Sequence, residues 1–303
     1  MRFATVRADA GTRLHLRGPN GYVDVASALG RPELSSLTAF LREDWRGLGR
    51  RLSESLDTAP GVHVAEASLG PAVPQPGRVL CLGINYGEHA RETGWAPPSW
   101  PETFVRGAQS VTGPYDDVAR PALTHQFDFE GELALVIGSR CRYVRAADAL
   151  DVLLGVTVVN EMTARDWQRA SKQWTPGKNF DRTLPIGPEV VTLDELPSLD
   201  LGITTRVNGE VMQEGRTSQM LVQVAQAIEF FSSFTTLEPG DVIATGTPSG
   251  VGFTRNPPVY LDAGDVVEVA IEGVGTVRNR LVTDVDPPAG WPWTPATVTG
   301  SSL

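Results

Sequence analysis

Three glutamates and a few cations carry the chemistry this sequence could perform. Asp128-Phe-Glu130-Gly-Glu132 runs into the apolar stretch Leu133-Ala-Leu-Val-Ile137. On a strand successive side chains alternate faces, so Glu130 and Glu132 would point the same way. Two carboxylates on one face repel unless one is protonated or a cation lies between them. A hard divalent ion, Mg²⁺ or Mn²⁺, suits an all-oxygen donor set and keeps waters that a substrate can displace. An E-x-E pair is also what an ordinary solvated strand face looks like. A third carboxylate, Glu161, stands where Val158-Val-Asn gives way to Glu-Met-Thr-Ala-Arg-Asp-Trp-Gln168. Arg165 and Gln168 follow it at helical spacing. Arg165 offers a planar fork to a carboxylate or enolate oxygen, or pairs with Glu161 one turn away on a surface. Lys178, in the loop Pro176-Gly-Lys-Asn-Phe-Asp181, is an anion ligand or a solvated charge. The stretch Ala244-Thr-Gly-Thr-Pro-Ser-Gly-Val-Gly252 can bring backbone amides and the Thr247 hydroxyl close to an anion. It can equally be a tight loop that needs glycine dihedrals.

Elements must hold these groups, and the texture of the chain suggests which. Short alternating runs (Phe3–Arg7, Tyr22–Ala26) read as strands, and spaced leucines from Pro32 to about Leu56 read as helix. The Pro/Gly-rich stretch 70–77 marks a boundary. Beyond it, 78–83, 132–138, 153–159, 202–207, 241–245 and 266–271 read as strands, with a short helix starting near Asn85. Leu221, Val224, Ala225, Ile228 and Phe231 form one apolar stripe of an amphipathic helix. The expected organisation is a small N-terminal α+β domain (1–75), a mainly β catalytic domain (76–285) and an extended tail (286–303). It is not an alternating parallel α/β sheet.

Composition excludes several functions. The 303 residues contain 26 Lys+Arg against 36 Asp+Glu, a net charge of −10, whereas a general nucleic-acid binder needs a basic face. No apolar run approaches the ~20 residues of a membrane helix, and the first residues lack a signal-peptide stretch. Cys81 and Cys141 are the two cysteines, too few for a disulfide framework or a four-thiolate zinc site. There is no G-x-S-x-G, no phosphate-binding G-x-x-x-x-G-K-[ST], and no histidine pair at i,i+4. A cytoplasmic protein without nucleic-acid or membrane partners is the expectation.

Six blocks together resemble the fumarylacetoacetate hydrolase family: 83–92, 129–138, 160–166, 177–181, 207–210 and 245–252, in family order over about residues 78–283. The resemblance implies a mixed β-sandwich roll with flanking helices, a homodimer, and Mg²⁺ or Mn²⁺ held by Glu130, Glu132 and Glu161. The last is a departure, because the family's block has Asp where Glu161 stands. Arg106, in Phe104-Val-Arg106, is another departure at a position where Lys is common; it keeps the positive charge and is assigned to substrate binding. The resemblance places Arg165, Gln168, Lys178 and Thr247 on substrate oxygens, and His89 and Glu92 as a catalytic pair on a lid. Residues three apart on a helix share a face, so Glu92 can orient His89 and raise its basicity.

The activity expected from this resemblance is hydrolytic C–C cleavage of a small 2,4-dioxo acid (acylpyruvate or fumarylpyruvate type) through a metal-bound enolate. Lys178 and Arg165 would neutralise the charge, and His89 would activate the water. The alternatives on the same site are decarboxylation of an oxaloacetate-type 2-oxo diacid and isomerisation of a hydroxy-dienedioate. A non-catalytic or biosynthetically repurposed member is a further alternative.

Overall fold

The structure is a computed structural model that describes residues 1–8, 11–56, 59–289 and 291–293. The tail expected over 286–303 therefore lies mostly outside the described residues. The chain opens with an antiparallel meander, β1 (Arg2–Ala8), β2 (Gly11–Gly18) and β3 (Gly21–Asp24). Helices α1 (Val25–Leu29), α2 (Leu37–Leu41) and α3 (Trp45–Leu56) follow. The leucine-rich stretch is thus broken rather than one helix. Ser36 caps α2 by accepting from the Ala39 N–H, and Asp44 accepts from the Gly47 N–H at the start of α3. Such side chains satisfy the orphan donors of a new helix start. The leucines still serve one purpose: Leu34, Leu37, Leu41 and Leu48 are all buried against the face that β1 and β2 contribute to.

Next come β4 (Val79–Gly83), α4 (Gly87–Glu92), β5 (Glu102–Arg106), β6 (Val111–Thr112) and β7 (Val118–Arg120). The site-bearing segment holds β8 (Phe127–Asp128), β9 (Gly131–Ile137), β10 (Leu153–Asn160) and β11 (Thr163–Ala164). It continues through α5 (Arg165–Gln168), α6 (Thr175–Lys178) and β12 (Leu184–Val191). The remainder is β13 (Gly202–Val207), β14 (Glu210–Arg216), α7 (Val224–Phe234), β15 (Val242–Ala244), β16 (Val266–Ile271) and β17 (Gly275–Thr283). Leu221, expected on α7, precedes it and is 44 % exposed.

A mixed sheet runs β3-β2-β1-β12-β10-β9-β15-β4-β5, with β6 beside β12. A second sheet runs β14-β13-β16-β17-β7, and β11 pairs with β8. Through β1 and β12 the larger sheet continues across the composition change near residue 75. Every residue of β9, β10 and β12 is buried, so these strands read as apolar runs rather than alternating ones. Leu133, Leu135, Val156 and Val158 pack with Ile203, Val269 and Val277 of the second sheet and with α7. Each such side chain contributes about 1.5–3 kcal/mol on burial, and this interior fixes the ends of β9 and β10 where the acidic groups sit. The architecture is strand-rich with few helices, as the sequence implies.

Candidate active site

The β9–β10 register sets the three glutamates side by side. Asn160 pairs with Gly131 and Val159 with Glu132, and the Glu161 N–H donates to the Glu130 carbonyl (2.8 Å). Glu130 and Glu132 flank Gly131, while Glu161 lies one residue past the end of β10, so the three side chains leave the sheet together. They offer carboxylate oxygens within 4.8 Å of one another, and all three are buried. The extra methylene of Glu161 does not remove it from the cluster.

Cations meet only part of this charge. The Lys178 Nζ donates to Glu130 Oε2 (2.9 Å) and Glu161 Oε2 (2.8 Å). It comes from a helical turn, α6, and is buried, not a loop lysine in solvent. Arg165 is likewise buried: Nη1 lies 2.6 Å from Glu130 Oε1 and 3.1 Å from Gln168 Oε1, and Nε donates to Asp128 Oδ2 (2.8 Å). Its ion pairs are with Asp128 and Glu130 rather than Glu161. Burial works against ionising Glu130, but Lys178 and Arg165 outweigh it and pull its pKa down to about 2. Burial also disfavours the Lys178 ammonium, yet Glu130 and Glu161 raise its pKa and keep it charged.

Glu132 differs. Its Oε2 accepts from the Gly246 N–H (2.8 Å), and among the described residues no cation pairs with it directly. Burial first, then Glu161 and Glu130, push its pKa well above the usual carboxylate range. Glu161 Oε1 is buried without a hydrogen-bond partner. An unpaired carboxylate and an orphan oxygen beside a third carboxylate fit a divalent cation, which would supply the missing charge and accept oxygen ligands. Glu130, Glu132 and Glu161 are the residues that would hold it.

One cavity of about 990 Å³ opens onto this cluster, lined also by Gln168, Thr247 and His89. Glycine is required at 246: its φ is +88°, and a Cβ would lie 2.8 Å from that of Asn85. The neighbouring Thr247 hydroxyl donates to the Gly131 carbonyl (2.9 Å) and accepts from Gln213 Nε2 (2.8 Å). On α4, His89 Nδ1 meets Glu92 Oε1 at 2.7 Å. Glu92 Oε2 accepts from the Gly250 N–H (2.9 Å) and shares the one proton of the Thr254 hydroxyl (3.1 Å) with the Val251 carbonyl (2.9 Å). Trp174 lies beside Trp95 and Phe104, with ring centroids 5.6 and 5.5 Å apart, and forms part of the cavity's aromatic wall.

Two expected site residues lie off the cavity wall: Glu92, which reaches it through His89, and Arg106. Arg106 is wholly buried, donating to the Met162 carbonyl (3.1 Å) and the Thr183 hydroxyl (2.8 Å). The sequence reading gave no role to Asp128 or Gln213. Asp128 holds Arg165 and accepts from the Gly252 N–H (2.8 Å); Gln213 holds Thr247 and accepts from the Gly131 N–H (3.0 Å). Asp128 could have been found by its place beside Glu130. Gln213, remote in sequence, carried no signal.

A strand-borne cluster of buried carboxylates under a cavity, with a histidine–glutamate pair beside it, is the kind of site that suits a divalent metal. The chain belongs to the fumarylacetoacetate hydrolase family: the family described as "Fumarylacetoacetate (FAA) hydrolase C-terminal" matches residues 78–282. It is 41 % identical over 280 residues to the bovine (Bos taurus) protein named "Oxaloacetate tautomerase FAHD2A, mitochondrial", covering 90 % of this chain and 88 % of the relative. The structure resembles the fumarylacetoacetate hydrolase of Exiguobacterium antarcticum, with a TM-score of 0.80 and 36 % identity, covering 94 % of this chain and 100 % of the other. It also resembles the maleylpyruvate hydrolase of Sphingobium sp. SYK-6, solved with manganese(II) and pyruvate, with a TM-score of 0.77 and 28 % identity, covering 94 % and 100 %. This is a family of enzymes. No helix among the described residues is long and apolar enough to cross a membrane.

Proposed function

We propose that the protein catalyses metal-dependent enolisation of an oxaloacetate-type 2-oxo diacid, interconverting its keto and enol forms. The observation that carries this choice is the 41 % identity over nine-tenths of the chain to a protein named as an oxaloacetate tautomerase. It favours the 2-oxo diacid alternative over the hydrolytic reading expected first from the sequence.

The side chains supply what enolisation needs. With Nδ1 hydrogen-bonded to the Glu92 carboxylate, Nε2 is the His89 nitrogen left to act on a substrate in the cavity that His89 lines. His89 Nε2 is the base that takes a proton from the carbon next to the 2-oxo group as the enolate forms, and the enolate oxygen takes a proton from water to leave as the enol; in reverse the enol O–H loses its proton to water and protonated His89 delivers one to that carbon. Lys178 stays an ammonium; two of its protons are given to Glu130 and Glu161, and the third is available to an enolate oxygen. Gln168, held at its oxygen by Arg165, keeps its amide N–H groups for the substrate carboxylate. A bound Mg²⁺ or Mn²⁺ would supply Lewis-acid polarisation of the 2-oxo group.

The test is the decay of enol-oxaloacetate ultraviolet absorbance, with Mg²⁺, Mn²⁺ or a chelator. Pyruvate is assayed in parallel from oxaloacetate and from a panel of acylpyruvates. Metal-dependent loss of the enol ahead of pyruvate release supports the proposal. Pyruvate from acylpyruvates with no effect on the enol would replace it with the hydrolytic reading, which the maleylpyruvate hydrolase likeness favours. A homodimer, expected from the family resemblance, belongs to the same proposal. The bovine relative is mitochondrial by name, so it lends no support to the cytoplasmic location expected from the sequence.

A further inference from the structure

The cavity has a cation that the site chemistry above does not use. Arg169 follows α5 directly and lines the cavity one helical turn beyond Arg165. Neighbours at this spacing have Cβ atoms about 5–6 Å apart. Phe253 carries both guanidiniums: Arg165 Cζ lies 4.4 Å and Arg169 Cζ 5.3 Å from its ring centroid. Their partners differ in kind. Arg165 is neutralised by Asp128 and Glu130. Arg169 donates to neutral oxygens, the Arg165 carbonyl (3.3 Å) and Gln126 Oε1 (2.5 Å), and none of the ion pairs among the described residues involves it. An aromatic face on one side and a second guanidinium one turn away leave its charge uncompensated, and Lys172 adds another exposed cation on the same wall. In a chain of net charge −10 this is a local positive patch at a cavity whose floor is acidic.

We propose that Arg169 receives the distal carboxylate of a dianionic, four-carbon 2-oxo acid whose reacting end lies on the Glu130–Glu132–Glu161 floor. The carboxylate carbons of such a diacid are joined by three bonds of about 1.5 Å and lie at most about 4 Å apart, less than the about 5–6 Å between Cβ atoms one turn apart, a difference the long arginine side chain takes up. Planar guanidinium geometry allows two parallel hydrogen bonds to a carboxylate, which a neutral amide or ester end group cannot accept with the same strength. The proposal rests on the 2-oxo diacid reading and deepens it: the distal charge, not only the 2-oxo acid end, selects the substrate.

The test is calorimetric binding of two unreactive probes, malate and its distal monoamide, to the full-length protein with Mg²⁺ present. The wild-type protein is expected to bind malate about tenfold more tightly than the monoamide at low salt. In Arg169→Gln that gap closes, the monoamide affinity changing less than twofold, and Arg169→Lys recovers part of the gap. An equal gap in wild type and Arg169→Gln overturns the proposal, as does no gap in wild type, a matching fall for both probes, or no binding of either. The oxaloacetate assay is independent. Inactivity there with the malate gap intact rejects the enolisation reading and leaves the dianion cleft; activity without the gap does the reverse.

Discussion

The floor of the cavity and its lid are held together in opposite ways. The floor is cut into a fully buried sheet: Glu130, Glu132 and Glu161 emerge from β9 and β10, whose other residues are all interior. Lys178 bonds Glu130 and Glu161 and Arg165 pairs with Glu130, while Asp128 holds Arg165 and Arg106 holds the Met162 carbonyl next to Glu161. The lid is α4, six residues long. Too short to be stable alone, it is reached through Ile84, which sits at φ +53°, a left-handed conformation that is costly for a β-branched residue. Its tie to the loop at 250–254 is the Glu92 carboxylate. The floor thus concentrates charge that must be compensated, while α4, which carries the proposed base His89, is held by hydrogen bonds at Asn85 before it and at Glu92 on its last turn.

Four outcomes sharpen or break this contrast, the largest first. Lys178→Met leaves Glu161 buried without its cation and Glu130 with Arg165 alone, and should cost about 3–5 kcal/mol of stability, read by denaturant unfolding; an unchanged midpoint would show that the floor is not held by charge. Glu132→Gln removes a carboxylate that no cation among the described residues pairs with. The metal-free melting temperature should hold or rise, the stabilisation by added Mn²⁺ should vanish, and activity should fall about a thousandfold. His89→Ala should lower kcat about 10²–10³-fold while metal affinity by calorimetry stays within twofold, because the lid histidine is not part of the floor. Thr254→Val removes one donor to Glu92 but leaves the Gly250 N–H, and a fall of about two- to fivefold in kcat/KM is expected. An effect as large as that of His89→Ala would mean that the tie at Glu92, not the histidine, limits the reaction.

The same division governs what was legible in the sequence. Strands β9 and β10 are legible as apolar runs between turn residues and β13 and β16 by their alternation, and the carboxylates Glu130 and Glu132 come with the start of β9. Three glutamates, Lys178, Arg165, Gln168, Thr247 and His89 do line one cavity, a convergence the motif order implied but spacing alone could not. Local chemistry also misled. The leucines of residues 32–56 serve one core, yet Ser36 and Asp44 break the helix that their spacing suggested. The β1–β12 pairing and the Gln213 bond to Thr247 join residues far apart in the chain, and no periodicity encodes such meetings. Arg106 was read as a substrate ligand because its charge matched the family's lysine; its burial is a tertiary fact.

The most direct test of the whole account follows exchange of the C3 protons of oxaloacetate for deuterium in D₂O with Mg²⁺, comparing the wild-type protein with His89→Ala. The account predicts exchange well above the uncatalysed rate for wild type. It predicts loss of that enhancement in His89→Ala, with Mg²⁺ still bound to the intact floor. Undiminished exchange in His89→Ala, or wild-type exchange that persists in the presence of a chelator, would contradict it.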